Sequence, residues 1–166
     1  MGPTSKHVSG EQTATDIPYH FLSSEDTLEE YSQQRAMYFK NQGKRTHRLV
    51  GFCLLLKREV LETIGGFDPR FGTGNCEDDD LCYRALIAGF KLWWAKDVFI
   101  HHFGQISFKA LKDNYRSEDY DQGLKKNWKI FCDKWNIPDE TIPTIDKPIE
   151  SVIQTPWSQK LFVPYQ

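Results

Sequence analysis

The chain is short of net charge, of paired cysteines and of long apolar runs. Its 21 basic and 23 acidic residues leave a formal charge of −2. No general positive field is available for a polyanion, so nucleic-acid binding is disfavoured. The longest apolar stretch, Leu49 to Leu56, has about eight residues where a membrane-spanning helix needs roughly 20. No membrane span is expected, and no secretory signal pattern is visible at the start. The four cysteines, Cys53, Cys76, Cys82 and Cys132, show no C-x-x-C spacing. They read as small buried hydrophobes in a reducing, cytoplasmic setting, not as zinc ligands or a disulfide framework. What is present is a chain of 166 residues, 39% hydrophobic and 14% aromatic, enough for one domain with a real core.

Residues 1 to 24 are polar with Gly and Pro and read as an irregular leading segment. Ser24 is placed to cap a helix from about Glu25 to Gln42, stopped by Gly43, Lys44 and Arg45. Leu49 to Leu56 is apolar without alternation, which suits a strand covered on both faces. Lys57 to Ile64 reads as a short helix with Val60, Leu61 and Ile64 on its apolar side, stopped by Gly65 and Gly66. The clearest helix runs from Asp78 to Gly89, with Leu81, Cys82, Ala85 and Leu86 in one stripe. Two short strands are expected at Lys91 to Ala95 and Val98 to His102, around Lys96-Asp97. A long helix over roughly Ser117 to Trp135 carries Leu124, Trp128, Phe131, Cys132 and Trp135 on one face, most simply as core packing. These elements define a domain over residues 1–137. Residues 138–166 form a proline-containing extended tail or linker that cannot make a long helix or a central strand.

The most informative run is GGFDPRFGTGNCEDDDLCYRA, residues 65–85. It sets four consecutive acids, Glu77, Asp78, Asp79 and Asp80, at the mouth of a helix. One or two acids there would serve the macrodipole; four in a row repel one another. The dipole lowers their pKa values, while repulsion and burial raise them, so such a cluster can hold one carboxylate ready as a general base. A purely structural helix start fits the same residues. About twenty positions on, His101 and His102 close an expected strand, where successive side chains face opposite ways and only one can enter a given site. A polar strand end is the plain alternative; imidazole together with carboxylate would suit a divalent ion. Gly65 and Gly66 allow close backbone approach, and Phe67 offers a flat apolar surface beside Asp68, though a helix stop and turn explain the same residues.

In order, LVGFCLLLKREVLETIGGFD, CEDDDLCYRALIAGF and KLWWAKDVFIHHFG resemble the C-terminal half of the catalytic domain of glycosyltransferase family 2. GPTSKHVSG before them and GQISFKAL after them are similar too. The resemblance implies an α/β class: a partial GT-A fold with a mixed β-sheet and flanking helices, lacking the N-terminal nucleotide-binding βαβ half with its metal-holding DxD. Asp78-Asp79-Asp80 has that spelling but sits in the acceptor-side motif, and Lys6 stands where similar sequences carry Asn. The implied activity is inverting transfer of a sugar from a nucleotide-sugar to a glycan, lipid or protein acceptor. Asp78 would be the general base, and Glu77 would orient the acceptor or tune that base. Gly66, Phe67 and Asp68 would line the acceptor cleft, with Asp78 open to a sugar-sized hollow. His101, or His102 in its place, would help hold a metal–diphosphate, the divalent ion (Mn²⁺ or Mg²⁺) requiring the DxD half. Asp80 and Arg84 would fix the acidic loop against its helix. On this resemblance the chain is a fragment, a truncated product or one part of an assembly, inactive alone. A homodimer or partner chain is expected to cover the exposed sheet edge. A non-catalytic carbohydrate-binding or oligomerisation module, and a metal-dependent hydrolase using the acids and a histidine, are the rival functions.

Overall fold

Leu92–Phe99 forms a single strand, β3, at the centre of a three-stranded sheet. In the computed structural model, which describes residues 1–15, 17, 25–103, 117–139 and 154–165, it replaces the two short strands expected around Lys96-Asp97. The ladder explains the continuity. The Lys96 amide donates to the Gln42 carbonyl (3.3 Å), and the Lys96 carbonyl accepts from Arg35 Nε (2.8 Å), so the polar pair is held without a turn. The strand stops at Phe99, and His101 and His102 lie just beyond it.

Two compact units are formed, Met1–Leu55 with Leu92–Gly104 and Leu56–Lys91 with Gln105–Gln166. The first unit holds the sheet, ordered β1-β3-β2. β1 (Gly2–Thr4) runs parallel to β3, pairing Gly2 with Trp94 and Thr4 with Phe99 across an irregularity. The leading segment is therefore not irregular at its start. All three β1 residues are buried, and Pro3 is accepted because a three-residue strand at the sheet edge needs no donor from it. β2 (Gly43–Thr46) runs antiparallel to β3 and places Lys44 and Arg45, both exposed, on the other edge. Charged residues on an edge strand oppose the addition of a further strand, so the sheet gives no support to the expected edge association. A helix, α1 (Glu25–Tyr38), packs on β3 through Tyr31, whose ring meets Phe99 edge-on at 5.0 Å in a core with Ala14 and Ile17. It ends before the expected Gln42, and its expected cap, Ser24, lies outside the described residues.

Leu49 to Leu56 is not a strand. Turn residues at Gly51–Cys53 break it, and its backbone is satisfied elsewhere. The Val50 amide donates to Gln12 Oε1 (2.7 Å) and the Leu55 amide to the Met1 carbonyl (2.8 Å). Leu49 is buried but Leu55 is 66% exposed, so the run is not covered on both faces.

The second unit is helical. α2 (Arg58–Ile64) buries Val60 and Ile64. α3 (Glu77–Ile87) and α4 (Ser117–Trp135) share a core of Phe71, Cys76, Tyr83, Phe131, Cys132, Trp135 and Ile137, with Tyr83 and Trp135 edge to face at 4.4 Å. Phe131, Cys132 and Trp135 take up the inward face expected of α4, while Leu124 at its outer edge is exposed. All four cysteines are free thiols, three of them buried and Cys53 half-buried. No described helix is long and apolar enough to cross a membrane.

The C-terminal stretch 154–165 belongs to this unit and returns to the end of α2. The Gly66 amide donates to the Val163 carbonyl (2.8 Å), and the Val163 amide donates to the Ile64 carbonyl (3.1 Å). Gly65 has φ +79°, and a Cβ there would lie 1.6 Å from the Val163 oxygen. Gly65→Ala is therefore expected to detach the returning segment, costing about 1–3 kcal/mol from the unfavourable φ and the lost hydrogen bonds. Exchange of the Val163 amide should quicken at least tenfold relative to the amides within α4; an unchanged rate would contradict the assigned contact.

Candidate functional site

The acid turn is the first turn of α3, and the loop before it has an unusual backbone. Gly72, Gly74, Asn75 and Cys76 all have positive φ, with Asn75 at 75° and Cys76 at 68°. For a non-glycine residue this is an unfavourable conformation that persists only where its surroundings enforce it. The enforcement comes from α4. Asn127, buried, donates through Nδ2 to the carbonyls of Phe71 (2.7 Å), Gly74 (2.6 Å) and Asn75 (3.0 Å). The chain thus enters α3 at Cys76 with no side-chain cap, and Glu77, Asp78, Asp79 and Asp80 fill the first turn.

The four acids have different environments. Asp80 is fully buried and completely engaged: Arg84 Nε donates to Oδ2 (2.8 Å), while Lys134 Nζ (2.7 Å) and Trp135 Nε1 (3.1 Å) donate to Oδ1. Arg84, also fully buried, donates its two remaining nitrogens to the carbonyls of Ile64 and Gly66, each at 2.6 Å. The expectation that Asp80 and Arg84 fix the acidic loop thus has a definite geometry: one guanidinium joins the acid helix to the Gly65-Gly66 turn. Asp78 is buried at 8% exposure, where an open hollow is expected from the sequence, and its Oδ1 accepts the Asp79 amide (2.9 Å). Glu77 is half-buried, and its Oε2 is a buried oxygen without a hydrogen-bond partner among the described residues. Burial raises the Glu77 pKa above the ordinary glutamate value; its own backbone amide lowers it, and the Asp79 charge raises it further.

An acid whose pKa is raised on folding is stabilised in its neutral form. Its contribution is present below the unfolded pKa and is lost as pH rises through the folded value. Glu77→Gln should accordingly be more stable than wild type at pH 8, with the gain disappearing towards pH 4. Urea midpoints at the two pH values check this, and an equal gain at both would contradict it.

The Gly66-Phe67-Asp68 loop divides in two. Phe67 presents a 48% exposed ring. Asp68 is buried, at 5% exposure, and turns to the protein: Arg70 donates to it from its amide (3.1 Å), Nε and Nη2, and Lys134 donates from Nζ (2.8 Å). Burial pushes its pKa up, but the hydrogen bonds from Arg70 and Lys134 outweigh this and hold the carboxyl well below the usual range. Gly66, buried, is bound on its carbonyl by Arg84 and on its amide by Val163.

His101 and His102 belong to the other unit. His102 Nδ1 lies 2.8 Å from the His7 carbonyl, and its amide donates to Ser5 Oγ (3.1 Å). His101 stands between the rings of His7 (6.0 Å) and Phe103 (4.3 Å), with a buried Nδ1 that has no partner among the described residues. Burial lowers its pKa, and the neighbouring His7 and His102 lower it further. Among the described residues no three His, Cys, Asp or Glu side chains gather as a metal site requires.

Lys134 and Asn127 carry much of this site and were not expected in it. Both sit beside the apolar stripe of α4, seven residues apart, and a buried lysine and asparagine at core-facing positions of an amphipathic helix are the signal that points to them.

Residues 4–117, more than half of the chain, match the family described as Glycosyltransferase like family 2. Neither a curated protein nor a solved structure gives a significant match. The mixed sheet and four described helices fit part of a GT-A fold. The matched segment contains the loop, the acid turn and both histidines, and the chain belongs to glycosyltransferase-like family 2.

Proposed function

We propose that the chain supplies the acceptor side of an inverting sugar transfer, with Asp78 as the general base. In this reaction the Asp78 carboxylate takes the proton of an acceptor hydroxyl. The hydroxyl oxygen bonds to the anomeric carbon, and the bond from that carbon to the diphosphate breaks, its electron pair leaving with the nucleoside diphosphate. Attack from the face opposite the departing group inverts the anomeric centre. Glu77 beside the base orients the acceptor, and Phe67 offers a face on which a sugar ring can stack. Asp68 serves from behind, as an anchor for Arg70 and Lys134.

The observation that carries this proposal is the buried Oε2 of Glu77, without a hydrogen-bond partner among the described residues, next to Asp78 and within the segment that matches the family. A buried oxygen of this kind lacks a donor, and an acceptor hydroxyl is one. The same observation favours a second reading in which Glu77 itself is the base, since its pKa is already raised by burial. Enzymes of the family generally depend on a divalent metal. The described residues do not by themselves assemble a metal site.

The test is to combine the chain with a DxD-bearing nucleotide-binding half, to supply radiolabelled nucleotide-sugars with a panel of glycan, lipid and peptide acceptors, and to determine the anomeric configuration of any product by proton NMR. Inverted product is expected from the combination, and negligible transfer from the chain alone. Retained configuration would exclude a single-displacement base, and glycan binding with no transfer, unaffected by Asp78→Asn, would support the non-catalytic module.

A further inference from the structure

A charge cluster among the described residues is largely hidden. Lys134, whose side chain is 6% exposed, extends from the last turn of α4 and donates to Asp68 Oδ2 at 2.8 Å and to Asp80 Oδ1 at 2.7 Å. Asp68 closes the Gly65-Gly66-Phe67-Asp68 loop, and Asp80 closes the acid turn. One ammonium therefore joins the two segments that the proposed reaction needs in register. Asp68 pairs with Arg70 and Asp80 with Arg84, and Lys134 is the third cation, shared between the two carboxylates. Lys134 lies outside residues 4–117: both arginine pairs fall within the segment that matches the family, and the link between them comes from beyond it.

We propose that Lys134 is a positioning residue for the acid turn: its double link to Asp68 and Asp80 holds Glu77 and Asp78 in place against the Gly66-Phe67 loop. The inference rests on the reading of that turn as the reacting site. Three features make lysine suited to the position. Its ammonium has three donors, of which two are accounted for by the carboxylates. Its Nζ lies over the Trp135 ring, 5.5 Å from the centroid. The Trp135 indole bonds the same Asp80 oxygen, so neighbouring residues of α4 grip one carboxylate together. A lysine deleted here leaves two buried acids short of a partner, and the relief open to them is local loosening of the loop and turn.

The experiment uses the full chain and needs no substrate. Amide exchange and the carboxyl titration of Glu77 are followed by NMR in wild type, Lys134→Met, Asp68→Asn and the double variant. In Lys134→Met the amides of Asp80 and Gly66 should exchange at least tenfold faster than in wild type. The Ile137 amide at the end of α4 and the Ile100 amide in the sheet should stay within about twofold. The Glu77 titration has opposite signs for the two possible roles. Loss of a cation alone raises a carboxylate's pKa, whereas loosening of the turn returns Glu77 to water and lowers it. A downward shift is expected, with the double variant no worse than the stronger single one because both break the same link. Uniform acceleration of exchange, an unchanged or upward Glu77 titration, or additive effects would overturn the proposal. Should Lys134→Met not fold, Asp68→Asn, which keeps the shape of its side chain, carries the same comparison. These readouts do not involve transfer, so a failure of the base assignment would leave them untouched.

Discussion

Replacing Arg84 with methionine is expected to remove about 3–5 kcal/mol of stability, the range for breaking a buried ion pair by deleting one partner. Arg84 and Asp80 are both fully buried, and their 2.8 Å contact is one of three that the guanidinium makes. Methionine fills much of the same space but removes the Arg84 donor from the Gly66 carbonyl and leaves the Ile64 carbonyl with the Val163 amide. Asp80 keeps Lys134 and Trp135, which is why the loss should stop short of unfolding the chain outright. Against a total stability of roughly 5–15 kcal/mol for a domain, the effect is still a large fraction. Urea denaturation measures it directly. The exposed Lys129–Asp133 pair, also spaced i, i+4, is the control: Lys129→Met should leave the midpoint unmoved. Similar small effects for both would mean that the buried network does not hold the loop to α3.

With a DxD-bearing nucleotide-binding half supplied, Asp78→Asn should lower sugar transfer about 10³-fold, within the range contributed by a positioned general base and equivalent to about 4 kcal/mol of barrier. The substitution is suited to the purpose because asparagine retains an oxygen to accept the Asp79 amide, as Asp78 Oδ1 does. Fold and acceptor binding should survive, so the loss should fall on kcat with KM little changed. Glu77→Gln is the necessary companion. If Glu77 only orients the acceptor, its loss should raise KM and lower kcat modestly. A kcat loss concentrated at Glu77 instead would move the base by one residue, as the partnerless Oε2 of that side chain allows.

Particular residues show why some of this was legible in the sequence and some was not. α3 and the inward face of α4 could be read because their periodic stripes are set by local geometry, and α2 because Gly65 stops it. β1 was not, since Gly2-Pro3-Thr4 has little strand character of its own and owes its conformation to parallel pairing with a strand some ninety residues away. Leu49 to Leu56 misled for the opposite reason. An unbroken apolar run looks like a buried strand, but side-chain and terminal groups, Gln12 and Met1, claimed its backbone first. The acid turn stood out as four like charges, and the Asp80–Arg84 pair came only with the family resemblance. The environments within the turn did not stand out. Which acid is saturated, which accepts an amide and which keeps an oxygen unpartnered among the described residues depends on Lys134, Trp135 and Asn127, and α4 brings these in from about fifty residues away.

The dependence of kcat/KM on pH, in wild type and in Asp78→Asn, each combined with a DxD-bearing nucleotide-binding half, bears most directly on the role of that carboxylate. Wild type should lose rate on the acid side through a single ionisation as the base takes up its proton, and Asp78→Asn should show a low rate without that ionisation. An acid-side ionisation that persists unchanged in Asp78→Asn would contradict the assignment, and its disappearance in Glu77→Gln instead would name the residue that performs the step.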